Sequence, residues 1–108
     1  MKLNKAIQEK SNIIVEFYTD WSASSFIIAE MLKQLRSDYA GRLEVLFINA
    51  DESAELCADY NIHKIPTFLF FQHGNIVKTL EGTASRTEII ELIENLVLNA
   101  SGNDADVT

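Results

Sequence analysis

Ile13-Ile14-Val15-Glu16-Phe17-Tyr18, followed at once by Thr19-Asp20-Trp21-Ser22-Ala23-Ser24-Ser25, is the stretch on which the fold turns. Its first six residues are a near-continuous apolar run rich in β-branched side chains, with one charge, Glu16, inside it. Such a run fits a strand covered on both faces. Asp20 to Ser25 reads as a polar turn. Ile28, Met31, Leu32, Leu35 and Tyr39 then recur at spacings of three and four, the apolar stripe of a long helix, and Gly41 stops it. Leu43 to Asn49 is a second apolar strand.

Outward from this unit, residues 1–10 read as a short helix with Leu3 and Ile7 four apart. Asp51 to Asp59 reads as another short helix. Thr67-Phe68-Leu69-Phe70-Phe71 is a third strand and Asn75 to Glu81 a fourth, and Gln72-His73-Gly74-Asn75 between them suits a tight hairpin. Ser85-x-x-Glu88 is a capping box that opens a last helix, whose buried stripe is Ile89, Leu92, Ile93 and Leu96. The order α-β-α-β-α-β-β-α predicts two βαβ units with parallel strands, then an antiparallel hairpin. The fold class is α/β: a mixed sheet flanked by helices on both faces. Residues 1–98 form one domain. Asn99 to Thr108, with Ser101, Gly102, Asn103, Asp104 and Asp106, read as a flexible polar tail.

Composition narrows the function. The chain of 108 residues is 47% hydrophobic and 23% charged, as soluble globular domains are. Nine Lys and Arg against sixteen Asp and Glu give a net charge of −7. That leaves no basic footprint for nucleic acid. No apolar window reaches the ~18 residues of a membrane span. MKLNKAIQEKS lacks the continuous apolar stretch of a secretory signal, so a cytoplasmic address is the expectation. One cysteine, Cys57, rules out an internal disulfide. One Cys and two scattered His, His63 and His73, match no zinc spacing, and no Gly-rich phosphate loop is present. Neither a metal nor a cofactor is expected.

At Trp21 the chain resembles the thioredoxin family, which places Trp-Cys-Gly-Pro-Cys between a central strand and the long helix. Here that place holds Trp21-Ser22-Ala23-Ser24-Ser25. Tyr60-x-Ile62-x-x-Ile65-Pro66-Thr67 matches a second family segment, and Gly74 and Gly82 match two family glycines. The likeness runs from about residue 10 to residue 97. It implies a thioredoxin fold, a cis bond before Pro66, and a groove at Trp21, Ile65, Pro66 and Thr67. In the family, the residue before that proline pairs its backbone with an extended peptide. It also implies protein-disulfide reductase activity as the ancestral chemistry.

The departures fall on that chemistry. Thiol–disulfide exchange needs a thiolate to attack sulfur and a second thiol to resolve the mixed disulfide. A helix N-terminus lowers a thiol pKa from about 8.5 to roughly 7 or below. A hydroxyl starts near water's ~15.7 and stays protonated after the same shift. Ser22 and Ser25, the family-equivalent positions, are therefore not catalytic for dithiol chemistry, and they suit helix capping. A hydrolytic serine needs a general base in reach, and His63 is the one candidate near the motif. Glu16 stands where the family has a buried Asp. Tyr18 replaces a Trp, Ala23-Ser24 replace Gly-Pro, and Glu30 replaces the proline that kinks the long helix.

Two origins give serines here: replacement of both cysteines in a thioredoxin, or a gene that lacks them. The accompanying departures favour the second. Three functions stay open: a redox-inactive module that binds an extended peptide or protein partner, a thiol–disulfide oxidoreductase whose two cysteines stand replaced by serine, and a structural or chaperone-like subunit. Family members commonly begin with a strand beside the one matching Leu43 to Asn49. Only twelve residues precede Ile13 here. A four-stranded sheet follows, with Leu43 to Asn49 on an edge. A homodimer through that edge is one expectation, because an apolar edge is a template for pairing.

Overall fold

The computed structural model describes residues 12–82 and 84–106. The helix expected over residues 1–10 lies outside them. The elements are β1 (Asn12–Tyr18), α1 (Ala23–Asp38), β2 (Glu44–Asn49), a 3-10 turn (Ala50–Glu52), α2 (Ala54–Asp59), β3 (Thr67–Gln72), β4 (Asn75–Glu81) and α3 (Arg86–Asp106). The last helix runs on into the segment that the sequence assigns to a polar tail.

Among the described residues the strands form one four-stranded mixed sheet in the order β2-β1-β3-β4. β1 is parallel to β2 and antiparallel to β3, and β3 is antiparallel to β4. The first βαβ unit is therefore present and the second is not. Tyr18 pairs with Asn49 at the end of β2 and Phe17 with Thr67 at the start of β3, so the chain through α2 stays at the end of the sheet where β2 finishes, and β3 sets out in the reverse direction. The single helix expected over Asp51 to Asp59 is also divided. Ser53, with φ −138° and ψ 52°, separates the 3-10 turn from α2. His73 and Gly74 form the two-residue hairpin loop, with φ 51° and 85°. Positive φ at both positions matches the twist of the flanking strands and favours glycine at the second.

Alternation along β1 divides two cores. Ile14 shares one face with Val45, Phe68 and Phe70, under Ile28, Leu32 and Leu35 of α1 and Ile89, Ile93 and Leu96 of α3. Ile13, Val15 and Phe17 face the other way with Leu69 and Phe71, against Leu56, Cys57, Tyr60, Ile62 and Ile65. Helices thus cover both faces. α1 begins at the Ser22 cap and ends at Asp38, and the Tyr39 N–H bonds Leu35 O and Ser37 O. At α3, Ser85 Oγ accepts the Glu88 N–H at 3.0 Å. The Ser-x-x-Glu pattern caps this helix as its sequence suggests.

Among the described residues β2 lies on the edge of the sheet. Its first outward rung is closed by side chains. Glu44 Oε1 accepts the Val45 N–H at 3.0 Å, and Arg36 Nη1 donates to Val45 O at 3.4 Å. The N–H and C=O of a strand residue point to the same side and alternate along the strand. Phe47 therefore presents the next outward rung.

Candidate functional site

The site forms where β1 ends. Tyr18 pairs with Asn49 and Phe17 with Thr67. The turn after β1, the end of β2 and the start of β3 thus meet at one end of the sheet. Trp21 stands there with 73% of its surface exposed, and its indole Nε1 donates to Asp51 Oδ2 at 3.1 Å. Asn49 Nδ2 donates to Asp20 Oδ2 at 3.4 Å, and Asn49 Oδ1 accepts the Asp51 N–H at 3.0 Å. Asp51 anchors the tryptophan, a role with no signal in the local sequence because 30 residues separate the two.

Ser22 is the N-cap of α1. Its φ of −100° and ψ of 110° are extended, and its Oγ accepts the Ser25 N–H at 3.2 Å. A cap of this kind satisfies one of the orphan donors of a helix start. Ser25 is fully buried, and its Oγ has no partner among the described residues. Among the described residues no base hydrogen-bonds it, and His63 is exposed. The hydrolytic reading of Ser25 lacks its base.

Glu16 is fully buried on the sheet face that carries Ile14, between Phe47 and Phe68 in register. Neither carboxylate oxygen has a partner among the described residues. Burial pushes its pKa from 4.5 up to about 8. Without a partner, desolvation disfavours the charged form, so the side chain is held as the neutral acid at pH 7.

The Tyr60–Thr67 segment closes the site. The Tyr60 ring packs 6.2 Å from that of Phe17 and 6.1 Å from that of Phe71, the second contact edge-on. Ile62 and Ile65 pack on the same core. Pro66 is buried, the Ile65–Pro66 bond is cis, and Pro66 O accepts the Gly82 N–H at 2.7 Å. Gly82 has φ 81°, a region that glycine adopts freely. Thr67 Oγ1 donates to Lys64 O at 2.6 Å. Among the described residues the N–H and C=O of Ile65 have no backbone partner. The Trp21 turn, which follows β1, and Ile65-Pro66-Thr67, which leads into β3, therefore lie at the same end of the sheet.

Cys57 lies elsewhere, half-buried on α2 with Sγ 3.7 Å from Ala50 O. Burial and then the Asp51 charge push its thiol pKa up. It is a packing thiol, not an activated one. Among the described residues no cluster of three His, Cys, Asp or Glu could hold a metal ion, and no helix is long and apolar enough to cross a membrane.

A four-stranded mixed sheet between helices, with a tryptophan turn after β1 and a cis Ile-Pro-Thr segment before β3, defines a protein of thioredoxin fold. The solved thioredoxin of Plasmodium falciparum superposes with a TM-score of 0.79 at 26% identity, over 87% of this chain and 90% of that one. A mutant thioredoxin of Halobacterium salinarum shares the fold with a TM-score of 0.80 at 22% identity, over 88% and 82%. The family model described as Thioredoxin matches residues 1–95, and the chain belongs to the thioredoxin family. Thioredoxin-T of Drosophila melanogaster is 34% identical over 79 residues, 73% of this chain and 50% of its own length. The chloroplastic M-type thioredoxin of Spinacia oleracea is 28% identical over 88 residues, 82% of this chain and 49% of its own length. The chain spans about half the length of these two relatives. A thioredoxin of Pseudomonas aeruginosa is 28% identical over 82 residues, 76% of each chain.

Proposed function

We infer that this chain is a redox-inactive member of its family, a cytoplasmic module that binds an extended segment of a partner protein across Trp21, Ile65, Pro66 and Thr67. The observation that carries the reading is the pair of serines at the head of α1. Ser22 is spent on capping, Ser25 is sealed in the core, and the one cysteine sits on another helix. None of the three can pass electrons between a disulfide and a dithiol. The groove does not depend on sulfur. An exposed indole offers a stacking and apolar surface, and the unpaired Ile65 backbone offers an N–H and a C=O to an extended chain.

The test is an NMR titration with extended peptides drawn from candidate partner proteins. Saturable shifts at Trp21 and Ile65 support the reading. Binding that leaves both untouched favours a structural or chaperone-like subunit using other surfaces. The second reading is a thiol–disulfide oxidoreductase of cell redox homeostasis whose two cysteines stand replaced by serine, and the thioredoxin relatives favour it. Pairing of two copies along Leu43 to Asn49 is a further proposal. The Arg36 and Glu44 contacts leave Phe47 as its central rung.

A further inference from the structure

The start of α1 carries apolar side chains on two opposite faces. Ile28, Leu32 and Leu35 are buried in the core. Ala23, Phe26 and Ile27, at i, i+3 and i+4, fall on the other side of the helix, and all three are exposed, Phe26 and Ile27 at 68% each. Trp21 stands just before the Ser22 cap and Phe26 is the fourth helical residue, the two positions that meet in a hydrophobic staple. Trp21 is 73% exposed, so the pair is open on its outer side. A surface helix needs one apolar stripe. A second one, exposed and continuous with an exposed indole, marks a docking surface.

The charges beside this patch select what docks. Asp51 accepts the Trp21 indole N–H. Asp20 and Glu30 line a cleft between α1, β1 and β2 together with Phe26, Ala29 and Phe47. Lys33, the one cation of that lining, is held by Glu30 at 2.9 Å. Among the described residues Asp20 and Asp51 receive side-chain hydrogen bonds from the neutral groups of Asn49 and Trp21 and pair with no cation. The exposed basic residues His63 and Lys64 belong to the other limb of the groove, next to Ile65. A second copy of the chain does not suit this face, because in a two-fold pairing its carboxylates would meet one another.

We propose that the partner segment runs past Trp21 onto Phe26 and Ile27, and that this end of it alternates apolar residues with lysine or arginine, whose charges answer Asp20 and Asp51. The inference rests on the groove reading and adds the chemistry of the partner. A lysine or arginine suits the place twice over. Its charge meets a carboxylate, and its stem and cationic head lie on the open face of the indole.

The probes are the peptides acetyl-SVTVLKLK-amide and acetyl-KLKLVTVS-amide, which serve the two chain directions, each with twins in which glutamine or glutamate replaces lysine. Amide shifts of the whole chain follow the titrations. The expected result is saturable shifts at Phe26 and Ile27 together with Trp21 and Ile65. The better lysine peptide binds about fivefold more tightly than its glutamine twin, the worth of two surface ion pairs, and the glutamate twin binds most weakly. Raising the salt to about 0.5 M narrows the difference. Asp20→Asn with Asp51→Asn keeps an acceptor for Asn49 and for the indole, and it brings the lysine and glutamine peptides level. Phe26→Ser with Ile27→Ser replaces exposed side chains only and weakens all three peptides about tenfold, as the loss of apolar anchors does. Equal affinity of the three peptides, or a lysine preference that survives the asparagine variant, would overturn the proposal. Shifts confined to Trp21 and Ile65 would also overturn it while leaving the groove reading in place. Saturable shifts at Phe26 and Ile27 with Ile65 untouched would overturn the groove reading instead, and the absence of saturable shifts with every peptide would overturn both.

Discussion

The Ser22 hydroxyl oxygen accepts the backbone N–H of Ser25 at 3.2 Å, so the two positions that carry cysteine in the family pattern are joined here by a helix cap. Ser22→Ala deletes the acceptor and leaves an orphan N–H in the first turn of α1. The expected cost is about 1 kcal/mol, read as a lower urea midpoint with an unchanged slope. Unchanged stability would show that the cap contributes nothing.

Glu16 sets the pH dependence. Its folded pKa, about 8, lies above the ordinary 4.5 because of burial. Between those values the folded chain holds a proton that the unfolded chain has lost. The stabilisation is therefore full below about 4.5 and is lost as pH rises through about 8. Glu16→Gln removes this slope and raises stability at pH 7 by roughly 1–3 kcal/mol. Denaturant unfolding at pH 5 and pH 7.5 reads both effects. A variant no more stable than the parent at pH 7 would contradict the buried neutral acid.

The edge of β2 gives a third prediction. Replacing Arg36 and Glu44 together by alanine uncovers the N–H and C=O of Val45, which these side chains now occupy. An uncovered edge invites pairing. Sedimentation should show more self-association in the double variant, and amide exchange at Phe47 should slow as protein concentration rises. Equal association of parent and variant would show that the two contacts do not guard the edge.

Cys57 should react slowly. Burial and the Asp51 charge both hold its thiol in the protonated form. Iodoacetamide at pH 7.5 should alkylate it several-fold more slowly than a free cysteine, and unfolding should abolish the difference. Reaction as fast as the free thiol would mean that the site is open.

Much of this architecture is legible in local sequence, because its causes are local. The β-branched run Ile13 to Tyr18 fits a two-faced strand, and Gln72-His73-Gly74-Asn75 suits a tight hairpin. Through their likeness to the family's motifs, the serines, the tryptophan turn and the Ile-Pro-Thr segment mark where a candidate site would lie. The direction of β3 is not legible, because it depends on the end of the sheet to which the segment from Ala50 to Pro66 delivers the chain. The break at Ser53 is hidden within one polar, helix-compatible stretch. The bond from Trp21 to Asp51, the closing of Val45 by Arg36 and the cleft between Ala29 and Phe47 each join elements distant in sequence. Each needs the register of β1 against β2 before it can be seen.

The most direct test of the account is dithiothreitol-driven reduction of insulin disulfides by the chain as it stands, beside the Ser22→Cys, Ser25→Cys double variant. The account predicts no reduction above the uncatalysed rate for the chain itself. It predicts partial activity for the double variant, whose thiols would sit at the N-terminus of α1. Catalysis by the unaltered chain would contradict the claim that two serines end its disulfide chemistry.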